Sequence, residues 1–136
     1  MSPEELIQKA FEAQKLAYVP YSNFAVGAAL LTAAGEVYTG CNIENASYGL
    51  TVCAERVALF KAISCGQRAF KALAVVAATE EYCSPCGACR QVLSEFGGDI
   101  KVYLANRRGE YRAMTVNELL PGAFRLVKSK NQGDAL

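Results

Sequence analysis

Two stretches of the chain carry residues that could do chemistry together: Cys53-Ala54-Glu55-Arg56 and Ser84-Pro85-Cys86-Gly87-Ala88-Cys89-Arg90. Cys86 and Cys89 are three apart, one helical turn, so both sulfurs can reach one ion. Cys53 adds a third thiolate, and a start at a helix N-terminus favours the negative charge that metal binding needs. Three protein ligands leave a tetrahedral zinc with one position for water, the pattern of a catalytic rather than a structural site. Glu55 is too close in sequence to Cys53 to be a comfortable co-ligand, but close enough to exchange protons with that water. Three thiolates on Zn²⁺ leave a net negative charge. Arg56 is placed to offset it by donating to sulfur, with Arg90 in a supporting position.

Other readings of the same cysteines stay open at this level. The chain has six cysteines and no histidine, so a transition-metal site must be built on sulfur, which points to zinc or iron–sulfur chemistry. Cys83-x-x-Cys86-x-x-Cys89 resembles part of an iron–sulfur run, but the ferredoxin pattern wants a fourth cysteine where Leu93 stands. A structural zinc with four sulfur ligands forms if Cys41, Cys65 or Cys83 joins. Cys86-Gly87-Ala88-Cys89 could be a redox dithiol, though no Trp precedes it and the third cysteine would be idle. Taken singly, Cys41, Cys65 and Cys83 read as packed thiols.

The elements that must position these groups follow from periodicity and punctuation. A first helix is expected from about Pro3 to Tyr18, opened by the Ser2/Glu5 capping-box pattern with Pro3 at the first helical position and stopped by Pro20. Ala25 to Thr32 and Glu36 to Ile43 read as strands of an antiparallel hairpin turning at Ala34-Gly35. Glu44 to Val52 is irregular. A helix from about Ala54 to Cys65, apolar nearly all round, ends at Gly66. The apolar run Leu73 to Ala78 is a strand covered on both faces. A helix from about Cys86 to Phe96 leads to strands at Ile100–Leu104 and Glu110–Met114. Thr115 and Glu118 then repeat the capping-box pattern before a short helix. The expected fold is α/β: three layers, α/β/α, around a mixed five-stranded sheet. Both chemical stretches fall where a strand's exit loop enters a helix, 33 residues apart from Cys53 to Cys86. One crossover should bring both helix starts to the same edge of the sheet, where α/β folds gather ligands.

Composition narrows the function classes. The 136 residues are 52% apolar with a net charge of +1, and form one expected catalytic domain over 1–136. Basic residues are dispersed, Arg107-Arg108 and Lys128-Ser129-Lys130 being the densest spots, so no phosphate-tracking stripe is expected and a nucleic-acid partner is disfavoured. No run suits a bilayer, and MSPEELIQKAFEAQ lacks the apolar centre of an export signal. The expectation is a cytoplasmic protein with no membrane partner. After Phe124 the tail turns polar and is expected to fray at its end.

The residues quoted so far resemble the cytidine deaminase family. Cys53-Ala54-Glu55 with Pro85-Cys86-x-x-Cys89 is similar to the zinc deaminase signature, with cysteine where many relatives have histidine. Asn42-Ile43-Glu44-Asn45-Ala46 and Tyr18-x-Pro20-Tyr21-Ser22-Asn23-Phe24 look like its nucleoside-acting branch, in the small homotetrameric form with three cysteine ligands. The resemblance implies one Zn²⁺ per subunit and hydrolysis of cytidine and deoxycytidine to uridine and deoxyuridine in pyrimidine salvage. It implies that Asn42 and Glu44 bind ribose hydroxyls and that Phe24 packs in the nucleoside pocket. It further implies that the Ala54 N–H holds the pyrimidine carbonyl, that the Ser84 carbonyl meets the exocyclic amine, and that Ala46, Tyr48 and Phe124 reach neighbouring subunits' sites. Bland roles stand beside these: Phe24 and Phe124 as core, and Asn42 as a turn residue.

Overall fold

A computed structural model describes residues 1–126; the polar tail after Phe124 that the sequence expects to fray, with Lys128-Ser129-Lys130, lies mostly outside the described residues. The order is α1 (Pro3–Gln14), β1 (Val26–Thr32), β2 (Val37–Cys41), α2 (Ala54–Ser64), β3 (Phe70–Ala77), α3 (Gly87–Ser94), β4 (Lys101–Ala105), β5 (Tyr111–Thr115) and α4 (Val116–Leu119), with a 3-10 turn at Tyr48–Leu50. The strands form one mixed sheet in the order β2-β1-β3-β4-β5. Only β3 and β4 are parallel neighbours; β1 runs antiparallel to both β2 and β3. The crossover through α2 therefore links two strands with β1 between them.

Alternation along the strands sorts the core into two layers. Ala28, Leu30, Leu73, Val75, Val102 and Leu104 face α2, α3 and α4, while Ala29, Leu31, Ala72, Ala74 and Val76 face α1. This is the expected three-layer α/β/α arrangement. The helix α1 is shorter than its pattern suggests. It opens on the Ser2/Glu5 capping box and buries Leu6, Ile7, Ala10 and Ala13, but ends at Gln14 rather than running to Tyr18. The segment after it instead runs beside residues 42–44: the Tyr18 N–H donates to the Asn42 carbonyl (3.0 Å) and the Glu44 N–H to the Tyr18 carbonyl (2.8 Å).

Two glycines let helices lie against the hairpin at backbone distance. A Cβ on Gly40 of β2 would stand 2.4 Å from the Ala54 carbonyl oxygen and 2.6 Å from the Ala58 nitrogen. The start of α2 therefore sits on β2 only because that position has no side chain. Gly27 of β1 plays the same part under α1, its absent Cβ falling 2.0 Å from the Ala10 oxygen.

Candidate active site

Both chemical stretches begin at helix N-caps. Cys53 caps α2 and Cys86 caps α3, each with extended backbone and no side-chain capping bond. Ser, Thr, Asp or Asn would normally turn an oxygen onto the helix's free N–H groups at this position. Here the side chain is left free to point at its counterpart. The Cys53 and Cys86 sulfurs are 3.8 Å apart and those of Cys86 and Cys89 3.5 Å. All three lie within 4.8 Å of one another, the one group of this kind among the described residues.

That spacing fits a metal. Sulfurs held about 2.3 Å from a tetrahedral zinc stand about 3.8 Å apart along each edge. Cys83, Cys41 and Cys65 are outside the cluster, so among the described residues three sulfurs converge and no fourth joins them. Arg56, in the first turn of α2, donates from Nη2 to the Cys53 sulfur at 3.5 Å, and its Nε–H is buried without an acceptor. The Cys53 thiol is pulled down to about 5, first by a hydrogen bond from Cys89 and then by Arg56. As the donor, Cys89 is pushed up. Hydrogen bonding to Cys53 in turn raises Arg56. The Arg56 guanidinium thus stands as a fixed cation beside sulfur, where it offsets the negative charge of thiolates gathered on a soft divalent ion.

Glu55 sits in the first turn of α2 and is 4% exposed. Burial raises its carboxyl to about 7, with the neighbouring Cys53 charge adding to the effect. A carboxyl poised there can hold or release a proton near neutral pH. By contrast Arg90 directs its guanidinium away from sulfur. It donates to the Pro85 carbonyl (2.8 Å), the Ser84 Oγ (2.8 Å) and the Leu119 carbonyl (2.7 Å), tying the loop before α3 to the end of α4.

A cavity of about 400 Å³ is lined by Cys53, Ala54, Glu55, Ser84 and Cys86 at the helix starts together with Phe24, Asn42, Glu44 and Tyr48. The second group comes from loops rather than from regular elements. Asn42 accepts from the Val26 N–H (2.9 Å) and donates to the Phe24 carbonyl (2.8 Å), strapping down the entry to β1. Glu44 accepts the N–H groups of Tyr21 (3.0 Å) and Ser22 (3.1 Å), and the Ser22 hydroxyl donates to its other oxygen. These bonds, the hydroxyl's first, hold the Glu44 carboxyl below the usual carboxylate range. Ala46 and Phe124 are both exposed and outside the cavity, with Phe124 71% exposed; Tyr48 borders the cavity of its own chain.

Sequence reasoning did not single out Ser22, Val26, Thr51 or Cys83 as cavity residues, yet all four line it. Ser22 lay inside the quoted Tyr18–Phe24 motif, and Cys83 stands one helical turn's spacing before Cys86. The signal for each was present without a partner to interpret it. Cys83 is half-buried, and burial pushes its thiol up to about 12, so it is a neutral wall of the cavity.

Comparison with known proteins places these features. Residues 1–105 match the model of the cytidine and deoxycytidylate deaminase zinc-binding region. The chain is 59% identical over 125 residues to a cytidine deaminase of Sporosarcina psychrophila, covering 91% of this chain and 92% of that one. A crystal structure of cytidine deaminase from Burkholderia pseudomallei superposes with a TM-score of 0.89 at 52% identity, over 91% of this chain and all (100%) of the other. A blasticidin-S deaminase of Bacillus cereus is more distant, 34% identical over 127 residues, 86% of this chain and 88% of that protein.

Proposed function

The chain belongs to the cytidine deaminase family, and we propose from that premise that it hydrolyses the exocyclic C–N bond of cytidine and deoxycytidine, giving uridine or deoxyuridine and ammonia. The observation that carries this reading is the company one cavity keeps: the buried Glu55 carboxyl with two of the three converging sulfurs, Cys53 and Cys86, and Asn42 with Glu44 in the same lining. The donor set Cys53, Cys86 and Cys89 would hold one Zn²⁺. When bound, the ion supplies a Lewis acid that makes water a competent nucleophile near neutral pH and steadies charge on oxygen.

The chain's own residues do the rest. Glu55 takes a proton from the attacking water and delivers it to ring nitrogen N3 as oxygen bonds to ring carbon C4. It then passes the second proton to the exocyclic nitrogen, and the C4–N bond breaks to release ammonia. The Ala54 N–H lies in the first turn of α2, where it has no intrahelical acceptor, and holds the pyrimidine carbonyl. The Ser84 carbonyl accepts from the amine before it leaves. Phe24 offers a ring face to the base, and Asn42 and Glu44 take the sugar hydroxyls. Arg56 stabilises the Cys53 thiolate, and Arg90 keeps the Ser84 loop in place.

The lining of the cavity favours a nucleoside over a nucleotide. Among the described residues it includes two carboxylates, Glu44 and Glu55, and no Lys or Arg, whereas a phosphate calls for cationic partners. Blasticidin S is the rival that the Bacillus cereus relative raises. Ammonia release from cytidine, deoxycytidine, deoxycytidylate, adenosine, a cytidine oligonucleotide and blasticidin S decides among them, with and without a zinc chelator. The expected result is zinc-dependent turnover of the first two. A metal-loaded preparation that releases no ammonia from either would overturn the reading.

The assembly in this proposal is the homotetramer, each subunit one catalytic domain over 1–136. Its support is apolar surface beside the site: Ile43 (45% exposed), Leu50 (68%) and Phe60 (47%) flank one groove, and Phe124 is uncovered. A second copy would bury these and bring Ala46, Tyr48 and Phe124 to the neighbouring cavity. Light scattering checks it, with four chain masses expected and one chain mass contradicting it. No helix of the described residues is long and apolar enough to cross a membrane. A cytoplasmic role in pyrimidine salvage completes the reading.

A further inference from the structure

Ser22 makes two bonds that run in one direction. Its Oγ accepts the Phe24 N–H at 3.0 Å, and its own proton goes to Oε2 of Glu44. The backbone donor sets which way the hydroxyl points, because an oxygen that accepts from Phe24 has its proton free for the carboxylate. The turn that makes this possible passes through Asn23, whose φ of +58° lies in the left-handed region that Asn tolerates better than most residues. Glu44 thereby receives three donors, the N–H groups of Tyr21 and Ser22 on Oε1 and the Ser22 hydroxyl on Oε2. It is 5% exposed, yet it borders the cavity. A carboxylate so supplied stays ionised, keeps one orientation, and can offer the cavity only acceptor capacity.

We infer that Ser22 is a positioning residue for sugar recognition: its hydroxyl fixes the Glu44 carboxylate as an acceptor, so that the site selects nucleosides bearing a free ring hydroxyl. The inference rests on the nucleoside reading above and deepens it. Ser22 has no part in the chemical step in this reading, since its hydroxyl bonds to Glu44 and to the Phe24 N–H and not to Glu55 or a sulfur.

The test compares cytidine with 2′,3′-dideoxycytidine, which lacks both ring hydroxyls. Removing a hydrogen bond to a charged group should raise the cytidine KM about ten-fold in Ser22→Ala. The dideoxycytidine KM should stay within about two-fold and kcat for both within about threefold, the signature of lost uniform binding at the sugar. Ser22→Thr keeps the hydroxyl and should restore the cytidine KM. Melting temperature and zinc content identify a variant that fails to fold. If the alanine variant does not accumulate folded, Ser22→Cys, a weak donor of similar shape, gives the same readout. An equal rise in KM for both substrates, an unchanged cytidine KM, or a fall in kcat alone would overturn the inference. Inactivity of the unsubstituted enzyme on cytidine would instead overturn the nucleoside reading itself.

Discussion

The two ends of the cavity are built by different means. The sulfur end hangs on regular elements: Cys53 and Cys86 are the caps of α2 and α3, and their sulfurs meet because both helices leave the same edge of the sheet. The sugar end is made of loop, Tyr18 to Ala25 against Asn42 to Tyr48, held by side chains bonded to backbone. Groups that must meet one ion within tenths of an ångström sit on elements whose ends the core fixes. Groups assigned in the proposal to a flexible sugar sit on segments that a handful of hydrogen bonds fix. The chemical step should therefore be lost through the first region and affinity through the second.

The largest effects should come from the sulfur end. Cys86→Ala leaves two ligands, and turnover should fall below detection together with zinc content. Chelation of the unsubstituted enzyme should do the same and be reversed by added zinc. Turnover that survives complete metal removal would break the comparison at its root. Glu55→Gln should retain zinc while kcat falls about 10³-fold, the scale of a lost acid–base group that moves more than one proton. Near-normal turnover would remove Glu55 from its assigned role.

Gly40→Ala tests whether the sheet places the chemistry from a distance. The new Cβ would press on the Ala54 oxygen and the Ala58 nitrogen, both backbone, so α2 must move and carry Cys53 and Glu55 with it. Overpacking of this kind costs about 1–3 kcal/mol or more. Displacing the catalytic groups by an ångström costs about 10²-fold in rate. Urea unfolding and kcat should both register it; a change in stability alone would mean that the helix start accommodates the methyl without moving its functional groups.

Much of the sulfur end was legible in the sequence because it depends on punctuation and crossover. The cap at Cys53, the Gly66 stop with φ +93° and the covered strand β3 all have local signatures. Their juxtaposition follows from one strand–helix–strand connection. What escaped was set by tertiary contact. The helix α1 ends at Gln14 rather than Tyr18 because residues 16–18 leave it, Tyr18 pairing with the backbone of residues 42–44. The strand β3 starts at Phe70 rather than Leu73, its first residues pairing with the end of β1 across a register shift between Leu31 and Thr32. Ser22 stood only as one letter of a quoted motif and Cys83 read singly as a packed thiol, because a lone hydroxyl or thiol has no period, and only its neighbours give it meaning.

The sugar end should yield smaller effects, and on a different parameter. Asn42→Ala strips the acceptor from the Val26 N–H and the donor from the Phe24 carbonyl, leaving backbone groups unpaired at a cost of about 1–3 kcal/mol each. The loop carrying Phe24 should loosen, raising the cytidine KM about ten-fold with little change in kcat. Equal losses in kcat and kcat/KM would blur the division between the two ends.

Cys83→Val should do least, and its smallness is informative. Cys83 stands at the sulfur end, one turn's spacing before Cys86, where a fourth metal ligand would be expected in a structural site. It is outside the converging group, and its thiol is held neutral by burial, with Glu55 and Cys53 adding to the effect. Valine replaces a neutral thiol by an apolar side chain of similar size, a change that cores accept for under about 1.5 kcal/mol. Zinc content should stay at one per chain and kcat/KM for cytidine within about threefold. If Cys83 closed the coordination sphere, the substitution would instead weaken zinc binding and open a position for solvent. Zinc loss by Cys83→Val would therefore relocate the boundary between chemistry and wall, while an indifferent result leaves the fourth corner to water.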